Sequence, residues 1–223
     1  MMSLPVTLLV VAKAPVPGLV KTRLAVAVGR EAAAAIAAAA LLDTLDAVAT
    51  APVAARIVAM TGDLDAAQAA DEVRERLQAF TVIAQRGDGF ADRLANAHLD
   101  AAEAAGPMPV LQIGMDTPQV TPALLTRCAE TLLGAPAVLG MADDGGWWVL
   151  GVRSAETADA LRGVSMSRHD TGALTVAALA DRGIDVTLVE ELRDVDTVDD
   201  VAAVREISAV GSRFARVTRR AGV

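Results

Sequence analysis

The sequence predicts an α/β fold, a three-layer α/β/α sandwich around a mainly parallel mixed sheet. Three observations predict it. Short runs of leucine and β-branched residues recur without polar alternation, as in strands buried on both faces. A stretch with helical spacing follows most of them, which is the strand–helix rhythm of parallel sheets. The unusual polar and glycine residues collect just after the strands, where open α/β sheets bind their ligands. At 223 residues the chain is expected to form one domain spanning 1–223.

Residues 4–12 make the first buried strand, and its apolar run is too short to span a bilayer. The alanine-rich stretch 29–48, with Ile36, Leu41, Leu42, Leu45 and Val48, reads as a long helix. Residues 54–60 are strand-like, 66–77 helical with a charged outer side, and 81–84 a brief strand. A helix over 90–105 closes at Gly106-Pro107, and 110–114 is the next strand. The helix over 121–133 carries Thr121 as N-cap and Pro122 as its first residue. Strands are expected at 137–141, 147–152 and 185–189, and helices at 171–182 and 197–207. The arginine-rich tail, 212–223, is expected as a packing helix or a poorly ordered end.

Composition narrows the function. A formal charge of −8 and an aromatic content of 2% argue against nucleic-acid and anionic-membrane partners. One cysteine, Cys128, allows neither an intrachain disulfide nor a cysteine-based zinc cluster, which fits a cytoplasmic setting. The alanine-rich helices suit either a close-packed core or a homodimer. A small anionic ligand fits best, because the chain's two lysines, Lys13 and Lys21, fall in one loop with Arg23.

That loop, residues 13–23, holds Lys13, Ala14, Pro15, Gly18, Lys21 and Arg23. Its prolines stiffen it and Gly18 permits close backbone approach, so it reads either as a phosphate cradle or as a solvated turn. Val20 precedes Lys21, so this is not a Walker A loop, and no G-x-G-x-x-G supports a Rossmann oxidoreductase. Asp116, in Gly114-Met115-Asp116-Thr117-Pro118, is placed to hold a hard cation or to cap a turn. In Arg193-Asp194-Val195-Asp196-Thr197, extended backbone puts Asp194 and Asp196 on one side, where one of them completes a metal site or caps the next helix. Asp143-Asp144-Gly145-Gly146 followed by Trp147 suits either an acceptor-binding loop or a hairpin turn. Gln85, Gly87, Asp88 and Gly89, around Arg86, occupy another strand end and could read a base or ribose. His98 reads as a surface or packing residue, and His169 lies in a polar cluster, 165–172, suited to a substrate loop. No G-x-S-x-G elbow is present, which disfavours serine hydrolysis.

Together these motifs resemble the bacterial DUF2064 family, which is grouped with glycosyltransferase-like and radical-SAM/selenodomain-associated transferases. The resemblance runs from Lys13-Ala14-Pro15 and Lys21-Thr22-Arg23-Leu24 through Gly114–Pro118 and Asp143–Gly146 to Asp194–Thr197. It departs at Trp147-Trp148, where relatives often carry tyrosine. The resemblance implies the GT-A fold of nucleotide-diphospho-sugar transferases, a superfamily that includes molybdenum-cofactor and phospholactate guanylyltransferases. It further implies phosphate binding by the first loop, Mg2+ or Mn2+ on Asp116, and Asp194 or Asp196 as second ligand. On this expectation Lys21, Arg23, Asp116 and Asp144 carry the chemistry. The partners are then a nucleotide, as NTP or NDP-sugar, and a small acceptor. Three cations in one loop favour a triphosphate, hence nucleotidyl transfer, over glycosyl transfer from an NDP-sugar. A non-catalytic nucleotide-binding module is the remaining alternative.

Overall fold

The computed structural model describes residues 3–223. Its strands are β1 (Leu4–Lys13), β2 (Val53–Thr61), β3 (Thr81–Ala84), β4 (Val110–Gly114), β5 (Ala137–Ala142), β6 (Trp147–Val152) and β7 (Val186–Leu192). They form one sheet in the order β3-β2-β1-β4-β6-β5-β7. Pairing is parallel except at β6, which runs antiparallel to both β4 and β5. The mainly parallel mixed sheet expected from the sequence is therefore the one that forms. β1 lies near its centre, buried from Val6 to Ala12.

The helices are α1 (Thr22–Val28), α2 (Arg30–Thr50), α3 (Ala70–Leu77), α4 (Phe90–Ala105), α5 (Pro122–Gly134), α6 (Thr171–Ala180), α7 (Val198–Ile207) and α8 (Arg213–Ala221). A 3-10 helix, Ala155–Gly163, precedes α6. On one face of the sheet α2, α3 and α5 pack against Leu8, Val10, Leu111 and Ile113. On the other, α4, the 3-10 helix and Leu179 of α6 cover Leu9, Ile57, Val110 and Leu150. A third cluster lies on the far side of α2 and joins Leu24, Ile36, Val195, Val201, Val204 and Phe214.

This third cluster explains the alanines of α2. Ala34, Ala37 and Leu41 face the sheet, while Ala33, Ile36 and Ala40 face α1, α7 and α8. The helix is buried on two sides, and small side chains let both neighbours approach. By length and apolarity α2 passes as a membrane span, but 72% of that window is buried inside the protein.

The chain builds β1, β2 and β3 outward in one direction, then crosses back to place β4 on the other side of β1. This is a topological switch point, and the carboxyl ends of β1 and β4 open a crevice there. Two expected bounds need correction. The helix expected from residue 66 starts at Ala70, because Ala69 takes a left-handed conformation, φ 54°. The last strand runs on to Leu192. Two elements were not expected: a separate α1 precedes the long helix, broken from it at Gly29, φ 84°, and residues 155–163 coil into a 3-10 helix that carries no clear periodic signal. Of the two readings of the tail, the packing helix is the one that forms, as α8.

Candidate functional site

The loop leaving β1 is fastened before it reaches its charges. The Ala14 N–H donates to the Thr61 carbonyl at 2.8 Å, and the Pro15 carbonyl accepts from the Gln68 N–H at 3.0 Å. Gly18 takes φ 80°, and a Cβ there would meet the Arg30 side chain at 3.3 Å, so this glycine serves the turn. Lys13 Nζ donates to the Leu19 carbonyl at 2.8 Å. Lys21 then adopts the left-handed region, φ 45°, at the head of α1. Its side chain is 8% exposed and its Nζ lies 2.7 Å from Asp116 Oδ2 and 2.9 Å from Asp196 Oδ1. Burial alone would lower the Lys21 pKa, but the Asp116 and Asp196 carboxylates overcome it and raise the value. Arg23 reaches Asp196 Oδ2 at 3.3 Å from a largely exposed position.

The carboxylates arrive from two strand ends that are tied together. Asp116 follows β4, and its carbonyl accepts from the Val195 N–H at 3.3 Å. The Gln119 carboxamide donates to the Arg193 carbonyl. Val195 is 1% exposed and points into the third apolar cluster. That leaves its neighbours Asp194 and Asp196 to project together, as the alternation of the stretch predicts. A capping box fixes the far end: Asp200 Oδ2 accepts from the Thr197 N–H at 2.8 Å and from the Asp196 N–H at 3.2 Å.

One oxygen each of Asp116, Asp194 and Asp196 lies within 4.8 Å of the others. Both aspartates of the 193–197 stretch join Asp116. Burial, then the like charges of Asp116, Asp144 and Asp196, push the Asp194 carboxyl up to about 7. Asp196 goes the other way: burial opposes ionisation, yet Lys21 and Arg23 hold its pKa below the usual range. Asp194 has no salt bridge or hydrogen bond among the described residues. Three converging carboxylates, one without a partner, fit a hard divalent cation such as Mg2+ or Mn2+ by the chemistry of the donor set.

The triad borders a cleft of about 630 Å³. Lys13, Arg23 and Gln85 line it with Asp116, Asp194 and Asp196, and Asp144, Gly146 and Trp147 complete the expected set. Lys21 faces instead a smaller hollow of about 280 Å³, shared with Lys13, Arg23, Asp116 and Asp196. Ala14, Pro15, Gly18, Gly87, Asp88, Gly89, Asp143 and Gly145 lie outside the lining of the cleft. Gln85 spends its amide N–H groups on the Ala12 and Ala59 carbonyls, bracing the strand ends. Gly87 abuts Asp92 and Asn96 at the start of α4, and Arg86 pairs with Asp100.

The 143–146 segment is the β5–β6 hairpin turn. Gly145 takes φ 85° there, and a Cβ would fall 1.7 Å from the His169 carbonyl oxygen, so only glycine fits. The turn also presents side chains to the cleft: Asp144 Oδ1 accepts from the Gly146 N–H at 2.8 Å. Asp143 turns away to Arg193 at 2.7 Å, and buried Trp148 donates to the Glu190 carbonyl at 2.7 Å. The polar segment 165–172 docks on this hairpin, the Gly172 N–H donating to the Gly145 carbonyl at 2.8 Å. Met166, Arg168 and His169 thereby line the cleft. Arg93 and Gln112 also line it and were not singled out from the sequence, because each sits within an otherwise ordinary helix or strand pattern.

Residues 44–168 match the model of a family described as an uncharacterized protein conserved in bacteria, DUF2064. The chain resembles the crystal structure of a candidate nucleotide-diphospho-sugar transferase from Desulfovibrio desulfuricans G20. The two share 26% identity over 98% of this chain and 95% of that one, with a TM-score of 0.84. It shares its fold with a nucleotidyl transferase from Methanothermobacter thermautotroptrophicus, at 21% identity, 95% and 98% coverage and a TM-score of 0.57. CMP:2-keto-3-deoxy-manno-octonic acid synthetase, solved in complex with CTP, shares the fold at 13% identity, 91% and 97% coverage and a TM-score of 0.56. No curated protein matches the chain.

Proposed function

We infer the activity from one premise: the chain belongs to the bacterial family DUF2064, whose model it matches over more than half its length. The reading is nucleotidyl transfer from an NTP to a small phosphorylated or hydroxylated acceptor. One observation carries it. The cationic β1–α1 loop and the three aspartates meet at one end of a cleft at the sheet's switch point. Two structures of the same fold support the choice, one described as a nucleotidyl transferase and the other a synthetase solved with CTP.

In this reading Lys13 and Arg23 hold the phosphates of the donor. Lys21 pairs with both Asp116 and Asp196 and holds them side by side. Asp116, Asp194 and Asp196 would hold Mg2+ or Mn2+, which supplies neutralisation of the charge that builds on departing pyrophosphate. Asp144 uses Oδ1 on the Gly146 N–H, leaving Oδ2 to orient an attacking hydroxyl or take its proton. Gln85, Gly146 and Trp147 shape the cleft, and a cytoplasmic setting supplies the triphosphate.

A second reading, glycosyl transfer from an NDP-sugar, is favoured by the likeness to the Desulfovibrio protein. The two separate by leaving group. The purified protein is incubated with each NTP or NDP-sugar, Mg2+ and a panel of sugar phosphates and hydroxy acids. Pyrophosphate release supports the first reading and nucleoside diphosphate release the second. Nucleotide binding without either product identifies a non-catalytic module. Asp116→Ala is expected to lower turnover at least a hundredfold while the protein stays folded, and full activity in that variant removes the triad from the chemistry.

A further inference from the structure

Arg93 is a cleft residue that the chemistry above leaves unused. It stands in the first turn of α4, its guanidinium carbon 5.6 Å from the centroid of the Phe90 ring. Three arginines line the cleft. Arg23 meets Asp196 and Arg168 meets Asp170, whereas Arg93 meets no carboxylate among the described residues. Its Nε is nonetheless shut off from solvent without a hydrogen-bond partner. Leaving a buried N–H of a guanidinium without an acceptor costs free energy, and folded proteins seldom do so unless something further completes it.

One more polar atom lining the cleft shares this condition. Trp147 Nε1 is a buried donor without an acceptor. Trp147 packs on the same apolar cluster as α4, so both residues line the cleft from the same face of the sheet.

We propose that Arg93 and Trp147 form an anion subsite in the cleft that holds a phosphate or carboxylate group of the acceptor. The proposal rests on the transferase reading and narrows its acceptor to an anionic small molecule. An anion is the matching ligand because a guanidinium presents a planar fork of donors that suits two oxygens of one phosphate or carboxylate. The Phe90 ring holds that fork in place, so little freedom is lost on binding. The acceptor is the matching molecule because the donor's phosphates already have Lys13, Arg23 and the aspartate triad.

The test uses the full chain and two probes, each read as a rise in melting temperature at constant ionic strength. The first probe is inorganic phosphate in the tens of millimolar. Wild type is expected to be stabilised by phosphate, and Arg93→Gln to need at least about tenfold more phosphate for the same rise. Trp147→Phe, which keeps the ring and removes the N–H, is expected to fall between them. Arg219→Gln, which removes an exposed α8 charge elsewhere, is expected to behave as wild type. The second probe is each NTP with Mg2+, whose effect Arg93→Gln is expected to leave unchanged. If wild type does not respond to phosphate, or Arg93→Gln responds as wild type does, the subsite is overturned. Loss of the NTP response in Arg93→Gln also overturns it, by giving Arg93 to the donor. If Arg93→Gln does not fold, Trp147→Phe decides, and an unaltered phosphate response there counts against the proposal. Failure of the nucleotide reading is a separate result, in which wild type responds to no NTP.

Discussion

Lys21 occupies left-handed backbone, φ 45° and ψ 47°, a region that costs a non-glycine residue about 1 kcal/mol or more. Its two ion pairs with Asp116 and Asp196 hold it there. With all three carboxylates ionised they carry −3 and Lys21 returns +1, leaving −2, the charge that one divalent cation balances. Lys21→Met removes the pairs and keeps the strain, whereas Lys21→Gly removes both. The methionine variant is expected to lose about 1–3 kcal/mol, less than a fully buried pair would because the carboxylates are about one-third exposed. The glycine variant should be about 1 kcal/mol more stable than the methionine variant. Urea denaturation reads both, and equal stabilities would mean the strain is not real.

His98 makes a second prediction on this scale, in pH. The ring is fully buried and burial holds its pKa down at about 3, with Gln112 beside it offsetting only part of the cost. An unfolded histidine titrates near 6.5, so below that pH the unfolded chain binds a proton that the folded chain refuses. Stability is therefore unaffected above about pH 6.5 and falls as pH drops towards 3, by on the order of 3 kcal/mol at pH 4. His98→Gln should lack this component. Stability curves for the two proteins that run parallel from pH 7 to 4 would show that His98 is not held neutral.

Among the elements, α7 matters to the site through its first turn. Thr197 and Asp200 close the capping box that also receives the Asp196 N–H. Thr197→Ala should cost about 1 kcal/mol and loosen Asp196, weakening Mn2+ binding severalfold, while Thr197→Ser should keep both. Paramagnetic titration with Mn2+ measures this, and unchanged affinity in the alanine variant would separate the cap from the triad. Caps of this kind are legible in sequence, as Thr121 before α5 also shows: its side chain accepts from the Leu124 N–H as expected. Strands bounded by Gly, Pro or Asp were likewise legible, and β3, β4 and β6 run between the expected residues. The 3-10 helix and α1 were not, since each is short and held by packing rather than by its own periodicity. For 143–146 the hairpin-turn reading is the one that forms, and the same turn presents Asp144 to the cleft.

Across the whole molecule, sequence reasoning gathered the strand-end loops at one rim but could not say which would touch. Contact depends on strand order: β6 inserted antiparallel between β4 and β5 sets Trp147 beside the end of β4. It depends also on the third apolar cluster, a long-range product of the C-terminal helix. Phe214 of α8 is fully buried in the cluster that takes in Val195, the residue between Asp194 and Asp196. Packing there holds the two carboxylates outward, so the triad's geometry rests on a helix that contributes no group to the cleft. Phe214→Ala should leave a cavity costing about 3–5 kcal/mol, while Phe214→Leu, which fills more of the space, should cost less. The surrounding loop would relax into that cavity, with Val195 free to shift and its neighbours no longer converging. Mn2+ affinity measured well below each variant's melting temperature should therefore fall in the order wild type, Phe214→Leu, Phe214→Ala. A destabilised Phe214→Ala protein that still bound Mn2+ as wild type does would show instead that β4, β7 and the capping box set the triad without α8.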